Sequence, residues 1–84
     1  MKIYYHPRFE KSYRKLPLHL RTKAEAREAL FRENPFDARL DTHKLHGKLK
    51  HQWSFSVDGK CRILFEFIAS EVVFIDVGDH DIYR

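Results

Sequence analysis

The chain has 84 residues and a single cysteine, Cys61. That length accommodates one domain, 1–84, and the lone thiol excludes an internal disulfide framework and cysteine-rich zinc spacing, which fits a reducing cytosol. The formal net charge of +4 is uneven: residues 1–34 hold nine Lys or Arg against four Glu, a balance of +5, while residues 35–84 balance to −1. Such an excess suits an anionic partner, nucleic acid or an acidic protein. The start, Met1-Lys2-Ile3-Tyr4-Tyr5, carries no apolar signal-peptide stretch, and no run is long enough to span a bilayer, so a cytoplasmic chain with no membrane partner is expected.

Lys2 to Tyr5 reads as a short β-prone strand. His6-Pro7 starts a helix, because proline lacks only an N–H that has no partner in the first turn. Phe9, Tyr13 and Leu16 form its apolar stripe, and Leu16-Pro17 breaks it. Pro17 opens a second helix reaching about Asn34, with Leu20, Ala24 and Phe31 on one face, Leu30 beside them, and Arg21–Glu25 and Glu28–Arg32 at ion-pair spacing. Residues 34–50 are polar and irregular.

From Gln52 the period changes to two. Trp53, Phe55 and Val57 alternate with Ser54 and Ser56, and Asp58-Gly59 marks a hairpin turn. A strand from Cys61 places Ile63, Phe65 and Phe67 on one face and Arg62, Leu64 and Glu66 on the other. After Ala69-Ser70, residues 71–77 give a third strand, with Val73, Ile75 and Val77 alternating with Val72, Phe74 and Asp76. The expected fold is α+β, in the order β-α-α-β-β-β: a meander joined by the N-terminal strand into a four-stranded sheet, with the helical hairpin on one face. Ile63, Phe65, Phe67 and Ile75 are expected to meet the helices. Ser54, Ser56, Arg62 and Glu66 are expected on an open polar face.

The residues that suggest chemistry are Arg62 and the closing stretch Gly78-Asp79-His80-Asp81-Ile82-Tyr83-Arg84. Imidazole moves a proton near neutral pH, a guanidinium holds phosphate charge, and a tyrosine ring can stack on a base. Each residue also has an ordinary explanation. Arg62 could pair with Glu66 or Asp76, His80 could be a surface loop residue rather than an acid or base oriented by Asp79 or Asp81, and Tyr83 could pack on a sheet edge. The segment His43-Lys44-Leu45-His46-Gly47-Lys48-Leu49-Lys50-His51 is cationic and interrupted by glycine, as a contact for an RNA backbone would be. His43 and His46 lack further ligands at recognised spacing, so neither a metal nor another cofactor is expected. Cys61 is read as a small buried hydrophobe.

These segments together resemble the RelE/ParE superfamily of type II toxin–antitoxin toxins, and within it the RelE-, YoeB- and YafQ-like mRNA interferases. The resemblance rests on the N-terminal strand and helical hairpin, the His43–Lys50 segment, Trp53-Ser54-Phe55-Ser56-Val57, Lys60-Cys61-Arg62-Ile63-Leu64-Phe65 and the closing Gly78–Tyr83. It implies an endoribonuclease that enters the 70S ribosome, cuts mRNA by metal-free transesterification and is silenced by a cognate antitoxin, with DNA reached only through that antitoxin. It also implies catalytic roles for Arg62 on the phosphate, His80 in proton transfer, Tyr83 on the nucleotide, and His43, which matches a histidine that YafQ-like members use in the loop before the sheet. Lys44, His46, Lys48 and Lys50 would bind RNA. Ser54 and Ser56 stand where RelE-like toxins carry lysines, and a second histidine of YafQ-like members also falls at about Ser56. Two alternatives accompany the resemblance: a ParE-like inhibitor of DNA gyrase, which needs no catalytic residues, and a degenerate toxin that only binds its antitoxin. Arg62, His80 and Tyr83 favour the nuclease.

Overall fold

The computed structural model describes residues 1–83; Arg84, the last residue of the closing motif, lies outside them. The chain runs β1 (Ile3–Tyr5), α1 (Pro7–Lys15), α2 (Leu18–Glu33), β2 (His43–Lys44), β3 (Trp53–Ser56), β4 (Arg62–Ile68) and β5 (Glu71–Gly78), with 3-10 turns at Ala38–Leu40, Gly47–Leu49 and His80–Tyr83. The α+β class is as expected. The sheet has five strands rather than four, in the order β1-β5-β4-β3-β2. The extra strand, β2, lies within the segment read as irregular; two residues are too few to show a period. β1 pairs with β5 in parallel, and the other neighbours are antiparallel.

Local chemistry sets the helix ends. The His6 ring nitrogen Nδ1 accepts the Arg8 N–H at 3.0 Å, and Pro7 occupies the first turn. Leu16 is extended ahead of Pro17, and α2 ends before the Asn34-Pro35 pair. The hairpin lays Phe9, Ala24 and Phe31 against the sheet, all buried, with Tyr13, Leu16, Leu20 and Leu30 packed around them. Phe31 is the centre of this core. Its ring lies 4.9 Å from those of Phe55 and Phe65 and 5.5 Å from that of Phe74. Burying rings of this size contributes about 2–3 kcal/mol each, which is a large share for a short chain. On α2, Glu28 pairs with Arg32 at 3.1 Å as its spacing suggests, whereas Glu25 accepts the Tyr13 hydroxyl.

The faces of β5 differ from the simple alternation. Phe65 pairs with Phe74, yet Leu64 pairs with Asp76, so Ile75 is an extra residue bulged out of the ladder. Val72 and Phe74 therefore face the helices, and beyond the bulge Val77 does so again. Ile75, expected among the inward residues, is outside this cluster. The bulge is what carries Val77 into the core while Asp76 pairs with Leu64 on the opposite face.

That opposite face is not open. Ser54, Leu64, Asp76 and Ile82 are all buried there or at its edge. The C-terminal turn closes over it. At Gly78 the backbone has φ +155°, and a Cβ would come within 3.1 Å of the Ile82 side chain, so glycine permits the close approach. Among the described residues no helix is long and apolar enough to cross a membrane.

Candidate functional site

Arg62 opens β4, opposite Ser56 on β3 and Gly78 on β5. Its side chain is 19% exposed and is held at three nitrogens. Nε donates to Ser54 Oγ at 3.0 Å, Nη2 to the Asp41 carbonyl at 2.9 Å and Nη1 to Asp41 Oδ2 at 3.5 Å. The partner is therefore Asp41, not Glu66 or Asp76 as same-face alternation suggests. Asp41 adopts a left-handed conformation, φ 49° and ψ 46°, which aspartate tolerates better than most residues. That turn points its carbonyl back at the sheet.

His43 lies opposite Ser54 across the β2–β3 pair, on the same face as Arg62. Its Nδ1 is 3.1 Å from the Asp41 carbonyl and 3.4 Å from Arg62 Nη2. One nitrogen cannot donate to the first and accept from the second. The carbonyl contact is shorter, and Arg62 already donates there, so we assign the proton to Nδ1. Nε2 then keeps its lone pair and can accept a proton.

The tail completes the arrangement. Asp79 Oδ1 accepts the Asp81 N–H at 3.0 Å, and the Asp79 carbonyl accepts the Ile82 N–H at 3.1 Å, which shapes the turn after Gly78. Tyr83 donates its hydroxyl to Ser54 Oγ at 3.2 Å. Ser54 thus joins Arg62 to Tyr83 from a fully buried position. His80 is exposed, with its ring 6.5 Å from that of Tyr83. Arg62, His80 and Tyr83 line one cavity of about 450 Å³, with Gly59, Lys60 and Asp79 completing its wall.

The basic segment is less concentrated. Lys44 pairs with Trp53, and strand alternation puts it on the helix side, away from His43. His46, Lys48 and Lys50 are exposed on and around the turn that follows β2. Among the described residues no three His, Cys, Asp or Glu side chains converge as metal ligands would.

A larger cavity of about 660 Å³ lies between the helix ends and the β3–β4 loop, with Leu16, Leu20, Cys61 and Val77 in its wall. Burial, reinforced by the charges of Asp58 and Asp79, pushes the Cys61 thiol up to about 11, so it is a poor nucleophile. The cavity that holds Arg62, His80 and Tyr83 is the smaller of these two.

Two site residues escaped the sequence reading. Ser54 was placed on the Arg62 face by the period of two and noted as the replacement of a lysine, but not as the hydrogen-bond partner of Arg62 and Tyr83. Asp41 gave no signal, because its role depends on a left-handed turn in a polar loop.

No protein-family model and no curated protein matches this sequence. Solved structures do match it along almost its whole length. YafQ from E. coli strain BL21(DE3) superposes with a TM-score of 0.81 at 17% identity, covering 98% of this chain and 96% of that one. A YoeB/ParE toxin from Agrobacterium tumefaciens gives 0.81 at 16% identity, covering 95% and 99%. YafQ in the E. coli DinJ-YafQ toxin-antitoxin complex gives 0.74 at 18% identity, covering 96% and 93%. At these identities the likeness is one of fold: the chain has the fold of the YafQ and YoeB/ParE toxins.

Proposed function

We propose that this chain is the toxin of a type II toxin–antitoxin system, an endoribonuclease that cuts mRNA on the ribosome. The observation that carries this reading is the meeting of Arg62, His43 and Tyr83 around Ser54, with His80 on the cavity that Arg62 and Tyr83 line. The shared fold with YafQ and YoeB toxins supports it.

The reaction is a transesterification within the RNA. His43 Nε2 takes the proton of the ribose 2′-OH, and the 2′-oxygen forms a bond to the adjacent phosphorus. The bond from phosphorus to the 5′-oxygen breaks, and His80 as imidazolium protonates that oxygen. Products are a 2′,3′-cyclic phosphate and a 5′-OH. Arg62 carries a fixed positive charge beside His43. The same charge stabilises the phosphorane-like transition state. Tyr83 stacks on or orients the nucleotide, while His46, Lys48 and Lys50 attract the backbone. Lys44, on the other face of β2, adds only to the general field. The reading needs no cofactor. It places the chain in the cytoplasm with a cognate antitoxin, as YafQ is found with DinJ.

The test is primer extension on mRNA after brief induction, beside cleavage assays with and without 70S ribosomes. Discrete cuts within translated codons are expected, lost in His80→Ala and Arg62→Ala. Intact mRNA with gyrase-linked DNA breaks would instead identify a ParE-like inhibitor, and equal cutting by those variants would overturn the assigned chemistry.

A further inference from the structure

Asp76 is a buried acid that the proposed reaction does not use, with 7% of its surface exposed. Both carboxylate oxygens are engaged. Oδ2 accepts Arg8 Nε at 2.8 Å, and Oδ1 accepts the Val77 N–H at 2.9 Å. The same guanidinium reaches further: Arg8 Nη2 donates to the Ile82 carbonyl at 3.0 Å. One side chain thus ties the start of α1 to the end of β5 and to the turn that carries His80 and Tyr83.

The topology explains how Arg8 gets there. β1 pairs with β5 only as far as Phe74. The chain then leaves the sheet, with the His6 N–H on the Phe74 carbonyl at 2.9 Å, and α1 begins at Pro7. Arg8, in the first turn, stands where β5 has lost its strand neighbour. The Ile75 bulge places Asp76 within its reach. A buried carboxylate requires a partner, and a planar guanidinium can serve two acceptors in fixed directions, which an ammonium cannot. The Ile82 carbonyl lies between His80 and Tyr83 in sequence, so what holds it also sets where those two side chains project.

We propose that Arg8 is a positioning residue: through Asp76 and the Ile82 carbonyl it fixes the C-terminal turn and so the placement of His80 and Tyr83. The proposal rests on the nuclease reading for its functional consequence, and its structural half is measured without it.

The experiment compares wild type, Arg8→Lys and the double variant Arg8→Met/Asp76→Asn. The double variant removes the buried charge, so folding is not burdened by an unpaired carboxylate, and the asparagine can still accept the Val77 N–H. Backbone ¹⁵N{¹H} NOE values and amide exchange are read across residues 79–83 and, as a control, across β4. In both variants the tail values are expected to fall while β4 keeps those of the wild type. RNA cleavage is expected to lose about tenfold or more in kcat with KM moving about twofold or less, as a misplaced catalytic group demands. A tail as ordered as the wild type in both variants overturns the proposal. So does a loosened tail with unchanged kcat. If wild-type protein cuts no RNA at all, the nuclease reading falls, and the NOE values alone still decide whether Arg8 holds the turn.

Discussion

Arg62 enters any reaction already oriented, because Ser54 and Asp41 engage its three side-chain nitrogens. Orientation of this kind is lost when the fork is replaced by a point charge. Arg62→Lys keeps the charge and is expected to lower single-turnover cleavage about 100-fold, since small misplacements of a charge-stabilising group cost that much. Wild-type rates in Arg62→Lys would remove the guanidinium geometry from the mechanism. Cys61 gives a second expectation at this scale, one about pH. Its thiol is raised in the fold from 9.0 to about 11, chiefly by burial. A raised acid stabilises the fold fully below its unfolded value and ceases to do so as pH rises through the folded value. Melting temperature is therefore expected to fall more steeply between pH 9 and 11 in wild type than in Cys61→Ala. Tyr5 and Tyr13, also raised by burial, act in both proteins, and the comparison subtracts them. The same burial should leave Cys61 slow toward a thiol reagent at pH 8 until the chain is unfolded.

Among the elements, β5 shows how one extra residue decides the placement of the site. Were Ile75 kept in the ladder without a bulge, strict alternation would turn Val77 outward and Asp76 toward Phe31 and Phe65; deleting Ile75 instead leaves Phe74 and Val77 inward and Asp76 on the opposite face. A carboxylate in that apolar layer would be costly, and since the deletion does not put one there, it is expected to destabilise the protein by less than about 3 kcal/mol in urea melts. A larger loss would mean that Ile75 does more than set which residues face the helices. The helices, the meander and the apolar stripes were legible in the sequence because each repeats a period several times. The bulge was not, since a period of two carries no mark of the place where a residue is skipped. β2 was too short to have a period. The same limits governed the site. Arg62 and the tail announced themselves by residue type, and alternation put Arg62 on its face. Asp41 and Arg8 did not, because they reach the site through a left-handed turn and a helix start that are distant from it along the chain.

At the scale of the whole molecule, the charge is divided between two regions that could each draw RNA. The segment containing the helical hairpin carries a balance of +5, while the limb after β2 offers Lys48 and Lys50, a few residues on from His43 in sequence. The nuclease reading places the strand on the limb, where a phosphate can reach Arg62. Salt dependence separates the two. Each phosphate contact on a single strand contributes about 0.7 to the slope of log affinity against log salt. In a His80→Ala background, which blocks cutting, changing both Lys48 and Lys50 to glutamine is expected to reduce that slope by about 1.4, if each makes one contact. Changing Lys11 and Lys15 on α1 should leave it nearly unaltered. The opposite pattern would put the RNA on the hairpin, away from Arg62 and His43. The cavity would then have no phosphate delivered to it, and the positive hairpin would become the surface to explain.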